Sequence, residues 1–292
     1  MGDSLAAEEP VDHASDREIV GIVLAAGAGT RLAPLGSVLP KPLCPVGNVS
    51  LLDLALGRVA RCTGAVAVNL HHEADAILRH LERDENGVGT SVHVSVETPQ
   101  ALGTAGAIGN LRDWIDGRNI LVVNADSWSL DPLIGFLADR DPLRVSVLAH
   151  RTDEFGPRTG VVATAIPWEF VRQLEPVPSG LYEVLWRDAH ARGELEVVRS
   201  DLSFVDCGTP ADYLRANRQA VAIAGHSIID PTATVGDDSR IVRSVIGAGA
   251  IVSGIVIDSV VWADQIVGSD EVVEGAVRAS SELTLRPEPR DA

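Results

Sequence analysis

The chain has 292 residues, 46% of them hydrophobic and 22% charged, the profile of a folded protein with one large domain or two smaller ones. Its 24 basic residues stand against 41 acidic ones, and the resulting net charge of −17 repels nucleic acid and anionic lipid, so neither is expected as a partner. Of the 24 cations 23 are arginine, and Lys41 is the single lysine, so any chemistry that needs a lysine must use it.

In chain order, residues 1–18 are acidic, without the basic and apolar regions of a signal peptide, and are expected to form a disordered tail. No stretch approaches the roughly 18 apolar residues of a membrane span. Ile19 to Leu24 has the Val/Ile/Leu content of a buried parallel strand. Ser50 caps a predicted helix with Leu51, Leu52, Leu54, Ala55 and Val59 on its apolar face. Strands follow at Ala65 to Leu70, Ser91 to Val96, Asn119 to Val123 and Arg144 to Ala149. Helices alternate with them at Ala74 to Arg83, Gly103 to Ile115 and Leu130 to Arg140. That order predicts an α/β fold, a Rossmann-like, doubly wound, mostly parallel sheet, in which ligands sit beyond the carboxyl ends of the strands. Further helices are expected from Pro167 and over Gly180 to Arg192. Cys44, Cys62 and Cys207 lack metal-site or disulfide spacing and fit reduced thiols in a cytoplasmic protein.

The character changes near Ala224. Ile229, Val235 and Ile241 recur at six residues, and Ile246, Ile251 and Val256 at five or six, with Gly, Asp and Ser between them. This is the pattern of a short C-terminal left-handed β-helix-like segment built on hexapeptide repeats. The division expected is therefore a tail at 1–18, a catalytic domain at 19–223, the repeat segment at 224–280 and a flexible end at 281–292. Two or three coils cannot fold confidently alone, so the segment should pack on the main domain or on another subunit.

The stretch Leu24-Ala25-Ala26-Gly27-Ala28-Gly29-Thr30-Arg31 follows the first strand, and Pro40-Lys41-Pro42 comes soon after. Small residues there let backbone N–H groups approach a phosphate chain, with Arg31 and Lys41 supplying fixed positive charge. The spacing is not that of a Walker A loop. Leu32 stands where the third glycine of a dinucleotide fingerprint belongs, which argues against a nicotinamide dehydrogenase. Asp126 and Asp206 each end a predicted strand, where an aspartate taken alone fits a helix cap or turn better than a metal ligand, although two hard carboxylates with phosphate oxygens suit Mg²⁺. His71-His72 has no partner at metal spacing and fits a solvated turn.

These segments, with Leu102-Gly103-Thr104-Ala105-Gly106, Asn124-Ala125-Asp126, Phe204-Val205-Asp206-Cys207-Gly208-Thr209-Pro210 and the repeat tail, resemble the sugar-1-phosphate nucleotidylyltransferases, or NDP-sugar pyrophosphorylases. The form of the Leu-Gly-Thr-Ala-Gly motif is similar to that of mannose-1-phosphate guanylyltransferase-like members and some uridylyltransferases. The resemblance implies that Leu24, Ala25, Ala26, Gly27, Gly29, Thr30 and Arg31 hold the triphosphate of GTP, UTP or dTTP, with Lys41 stabilising the transition state. It further implies that Leu102, Gly103 and Thr104 face the nucleoside, Gly103 admitting the base closely, and that Asp126 and Asp206 bind Mg²⁺. Arg31, Lys41 and Asp126 would be the catalytic set. A sugar-1-phosphate would be the second substrate, and the repeat tail would support a homo-oligomer.

One departure stands out. The family usually carries a Glu-Lys-Pro whose lysine binds the sugar phosphate, and here no second lysine exists. Gly160 resembles the glycine beside the sugar, and Arg158, Arg151 or Arg199 is the candidate replacement cation. The shortened sugar region leaves a second class open, a nucleotide-binding regulatory subunit without turnover.

Overall fold

The computed structural model describes residues 18–82 and 91–288. The tail expected at 1–18 lies outside these residues except for Glu18, as do Arg83 and residues 289–292. The chain begins with β1 (Ile19–Leu24), a hairpin of β2 (Pro45–Val46) and β3 (Val49–Ser50), then α1 (Leu51–Ala60) and β4 (Val66–Leu70). It continues through α2 (Ala74–Leu81), β5 (Val92–Val96), α3 (Gly103–Asn110), α4 (Arg112–Ile115), β6 (Asn119–Asn124) and β7 (Ser127–Ser129). After α5 (Ile134–Asp139) come β8 (Val145–His150), β9 (Val161–Ile166), α6 (Trp168–Val171), a π-helical turn at Tyr182–Trp186 and α7 (Arg187–Ala191). The domain closes with β10 (Leu195–Ser200), β11 (Phe204–Asp206) and α8 (Pro210–Ala224).

Seven strands form one sheet in the order β10-β8-β9-β6-β1-β4-β5. Alternate residues of each strand serve opposite faces. Val20, Ile22, Ile120 and Val122 join one core, while Val23, Leu121 and Val123 join the other. The sheet is parallel except for β9, which runs antiparallel to both β6 and β8. The apolar runs alone predict no strand there. The link from His150 to Val161 is too short for a crossover helix, so β9 can only return as the second arm of a hairpin.

Helix ends differ from expectation for local reasons. Ser50 caps α1 as predicted, its hydroxyl accepting from Asp53 N–H at 2.9 Å. The helix expected over Gly103 to Ile115 is two, meeting at Leu111. The one expected from Leu130 starts only at Ile134, because Asp131 Oδ1 accepts from Leu133 N–H and holds a turn around Pro132. Among the described residues no helix is long and apolar enough to cross a membrane.

Beyond α8, which ends on Gly225 at φ +75°, the chain makes stacked coils whose short parallel strands form three sheets. Ile228, Val245, Val260 and Val277 stand in one ladder, and Thr234, Ile251 and Ile266 in another. Ile246, Val252, Val261, Val267 and Val273 fill the interior. Of the apolar positions expected from the repeat, Ile246 and Val256 are fully buried and Ile241 packs against this interior, whereas Ile229, Val235 and Ile251 are exposed and Val252 is buried in place of Ile251. Corners of unequal length, such as Gly247 to Ala250, break a strict count of six. Residues 281–288, expected to be loose, include Thr284–Leu285, which pairs antiparallel with Val277–Arg278. The coils pack on the main domain through Val245, Val260, Trp262 and Val277 against Leu51, Tyr213 and Val221.

Candidate active site

The loop after β1 has a buried root and an open crest. Ala25 and Ala26 are buried, whereas Gly27, Thr30 and Arg31 are exposed. Leu32 and Leu35, both fully buried, pin its far side, and each contributes about 2 kcal/mol of apolar burial. Gly29 takes φ +59°, and a Cβ there would stand 3.0 Å from Lys41 Cβ, so this glycine lets the loop close on the lysine. A Cβ on Gly27 would meet no atom within 4 Å. Packing does not ask for glycine at that point.

The two aspartates are brought together by a small antiparallel ladder. β7 pairs with β11 so that Ser127 faces Asp206, and Cys207 N–H donates to the carbonyl of Asp126 at 3.2 Å. Lys41, 6% exposed, reaches between them. Its Nζ donates to Asp126 Oδ2 at 2.7 Å and lies 3.5 Å from Asp206 Oδ1. Arg31, on the solvent side, stands 3.8 Å from Asp206 Oδ2. Gly208 keeps this corner open, since a Cβ there would come within 3.2 Å of both Arg31 and Asp206. Thr209 then caps α8, with Pro210 in its first turn. Lys41, Asp126, Asp206 and Arg31 thus form one cluster, as their sequence motifs predict.

Two half-exposed carboxylates offer hard oxygen donors, and Lys41 occupies only one oxygen of Asp126 closely. Such a pair fits Mg²⁺ when substrate phosphate completes the shell. Among the described residues no group of three His, Cys, Asp or Glu is placed to hold a metal by itself. His71 instead sits with Nδ1 2.9 Å from the carbonyl of Glu97.

Leu102, Gly103 and Thr104 open α3 at the neighbouring strand end. Here the close approach that glycine permits is by the chain's own backbone. Cβ atoms on Gly103, Gly106 and Gly109 would lie 2.5, 2.2 and 2.5 Å from backbone atoms of Ser179, Val177 and Glu175. Residues 175–180 therefore form a strap along a glycine row of α3. It is fastened by Ser179 N–H to the Leu102 carbonyl at 2.9 Å, Ala105 N–H to the Ser179 carbonyl at 3.0 Å, and Leu181 N–H to Thr104 Oγ1 at 2.8 Å. The strap leads into the π-helical turn, which walls a cavity of about 340 Å³ with Thr104, Asp126, Gly160, Tyr182, Glu183 and Trp186.

Gly160 thus lies where the sequence places it, beside this cavity. Arg158 is exposed and outside its wall, and no lysine or arginine is among the lining residues. Arg199 is engaged by Asp201 at 2.8 Å and Asp153 at 3.5 Å. A larger cavity, about 1170 Å³ between α1, α2 and the coils, contains none of Lys41, Asp126 or Asp206, so its size does not mark the chemistry. The thiols are unpaired. Burial pushes Cys44 up to about 12 and raises Cys207 as well, keeping both protonated beside the ionic cluster.

Residues that pattern reasoning passes over are Asn69 and Glu97. Ala25 N–H donates to Asn69 Oδ1, Asn69 Nδ2 to Glu97 Oε1, and Leu102 N–H to Glu97 Oε2. Their signal in the sequence is faint: one amide inside the apolar run Ala65 to Leu70, and one carboxylate directly after Val96.

An α/β sheet that gathers a glycine loop, a buried lysine and two aspartates at its strand ends is an arrangement suited to a nucleotide. Residues 20–150, less than half of the chain, match the family model described as nucleotidyl transferase. An N-acetylmuramate alpha-1-phosphate uridylyltransferase of Caulobacter vibrioides is 34% identical over 146 residues, covering 47% of this chain and 60% of that protein. The chain thus spans less than two thirds of that relative. A mannose-1-phosphate guanyltransferase of Schizosaccharomyces pombe is 23% identical over 272 residues, covering 75% of this chain and 73% of the other. HddC from Yersinia pseudotuberculosis shares the fold with a TM-score of 0.57 at 20% identity, over 69% of this chain and 99% of that one.

Proposed function

We propose that the protein transfers a nucleotidyl group from an NTP to a sugar-1-phosphate, giving an NDP-sugar and pyrophosphate. The observation that carries this reading is the buried Lys41 ammonium between Asp126 and Asp206, beside a glycine crest with no packing demand at Gly27. A phosphate oxygen of the sugar-1-phosphate attacks the α-phosphorus in line, the bond to the bridging oxygen breaks, and pyrophosphate leaves. No protein nucleophile is required, so catalysis is positioning and neutralisation of charge. Backbone N–H groups of residues 27–31 and the Arg31 guanidinium hold the triphosphate. Lys41, fixed by two carboxylates and shielded from water, offsets charge that develops on the phosphates. Asp126 and Asp206 would hold Mg²⁺, which when bound neutralises phosphate charge.

The substrate pair we favour is GTP with mannose-1-phosphate. The Schizosaccharomyces pombe relative supports it by covering 75% of this chain, while the Caulobacter vibrioides relative makes UTP with an N-acetylmuramate phosphate the competitor. We further propose a cytoplasmic homo-oligomer. Unpaired thiols support the compartment, and the exposed Ile251 and Ile266 on the coils support assembly.

The test is pyrophosphate release with GTP, UTP and dTTP, each against mannose-, N-acetylmuramate- and glucose-1-phosphate, with Mg²⁺ present or chelated. Turnover of one pair, lost on chelation and in Asp126→Asn, is expected. Tight nucleotide binding without pyrophosphate from any pair would overturn the enzyme reading in favour of a regulatory subunit. The cavity wall without lysine or arginine is the observation that favours that second reading.

A further inference from the structure

Beneath the site, one line of hydrogen bonds joins segments that the chain keeps far apart. It starts at the root of the glycine loop, where Ala25 N–H meets Asn69 Oδ1 at 2.9 Å. Asn69 Nδ2 donates to Glu97 Oε1 at 2.7 Å, and the other carboxylate oxygen takes Leu102 N–H at 2.7 Å. The Leu102 carbonyl then receives Ser179 N–H, where the strap turns into the cavity wall. Asn69 and Glu97 are each only 2% exposed. The sheet does not need them, because main-chain bonds already pair Asn69 with Ser95 and Leu70 with Val96.

A buried carboxylate without an ion pair is costly, and Glu97 has no lysine or arginine partner among the described residues. Both its oxygens are satisfied only while Asn69 and Leu102 hold their present places. An apolar pair would fill the same space without that cost. It would leave the N–H groups of Ala25 and Leu102 with nothing to fix them.

We propose that Asn69 and Glu97 are positioning residues for the nucleotide. They touch no substrate themselves, but they set the separation between the glycine loop and Leu102-Gly103-Thr104 and, through Ser179, the stance of the wall beyond. The inference rests on the nucleotide-handling role proposed above. It also has a definite polarity. Both ends of the line are donors, so positions 69 and 97 must each accept outward, and the link between them holds a single donor. A carboxamide at 69 with a carboxylate at 97 satisfies this, and so does the reverse arrangement. Two carboxamides cannot, and two carboxyls can only by sharing a proton.

Four proteins of equal size test it: the natural chain, Asn69→Asp, Glu97→Gln and the double variant Asn69→Asp/Glu97→Gln. Two readouts are needed, the dissociation constant of GTP or UTP measured by calorimetry, and amide hydrogen exchange at Ala25 and Leu102 without nucleotide. Each single change should weaken nucleotide binding about tenfold and speed exchange at both amides, with α8 amides unaltered. The double variant should return both readouts to within about twofold of the natural protein. Single variants that bind and exchange like the natural chain, or a double variant no better than the worse single, would overturn the proposal. A pair that only props up the fold would change the melting temperature and the active fraction without changing the dissociation constant of the folded molecules. Exchange is read without ligand, so a natural protein that binds no nucleotide would sink the nucleotidylyltransferase reading while the amides still decide whether the line of bonds exists.

Discussion

The two halves of the site are built by different means. Around Lys41 the elements are held from beneath: the loop by Leu32 and Leu35, Lys41 by two aspartates, and Ala25 by Asn69. Toward the 340 Å³ cavity the wall rests on a strap, which three glycines of α3 leave room for and three hydrogen bonds fasten to the start of that helix. Charge follows the same division, since the cations meet at Lys41 and Arg31 while the cavity beyond has none. The first half is thus anchored by buried polar and charged groups over an apolar root, and the second by hydrogen bonds across a close steric fit.

Substitutions can break that contrast. The largest effect is expected from Lys41→Ala, which should lower kcat by about 10²–10³ by removing the cation buried between Asp126 and Asp206. Arg158→Ala should change pyrophosphate release by less than about twofold, and an equal loss in both variants would place the missing cation on the sugar side after all. Gly106→Ala comes next. Its Cβ would stand 2.2 Å from the Val177 carbonyl oxygen, so the strap must lift. A destabilisation of about 1–3 kcal/mol in denaturant unfolding is expected, with KM for the sugar-1-phosphate raised and nucleotide affinity nearly unchanged. Tyr213→Phe removes the hydroxyl that donates to the Pro45 carbonyl and accepts from Trp262 Nε1, and should cost about 1–2 kcal/mol by the same measurement. The smallest effect separates the cysteines. Half-buried Cys62 should be alkylated first at mild alkaline pH, with Cys44 and Cys207 following only on unfolding.

How much of this is legible without coordinates depends on whether a contact repeats. The parallel strands announce themselves through Val, Ile and Leu runs, and the phosphate-side residues through motifs in which glycines, Arg31, Lys41, Asp126 and Asp206 appear in order. Four of these converge in space as the motifs imply. The antiparallel β9 follows from loop length, which apolar runs do not express. Gly103 was expected to admit a base, yet its space is taken by Ser179, a residue 76 positions away with no local pattern. Asn69 and Glu97 are equally silent, since a single polar side chain in an apolar run signals burial or error until its partner is seen. The coil phase holds at Ile246 and Val256 but slips by one residue at Ile251, because corners differ in length.

Tyr213 and Trp262 carry a consequence for how the chain can be cut and recombined. Trp262 belongs to the coils, Tyr213 to α8, and Pro45 to the hairpin that begins four residues after Lys41. The indole donates to the phenol at 2.9 Å and the phenol donates to the Pro45 carbonyl, so these three residues join the coils to the segment carrying the lysine. A fragment ending at Ala224 would leave that phenol without its indole and bare an apolar seam around Val221. Grafting coils from a relative onto this domain would succeed only if the donor brought a tryptophan to the same spot. The tail is thus a buttress, and any exchange of modules would have to redraw the joint as well as the parts.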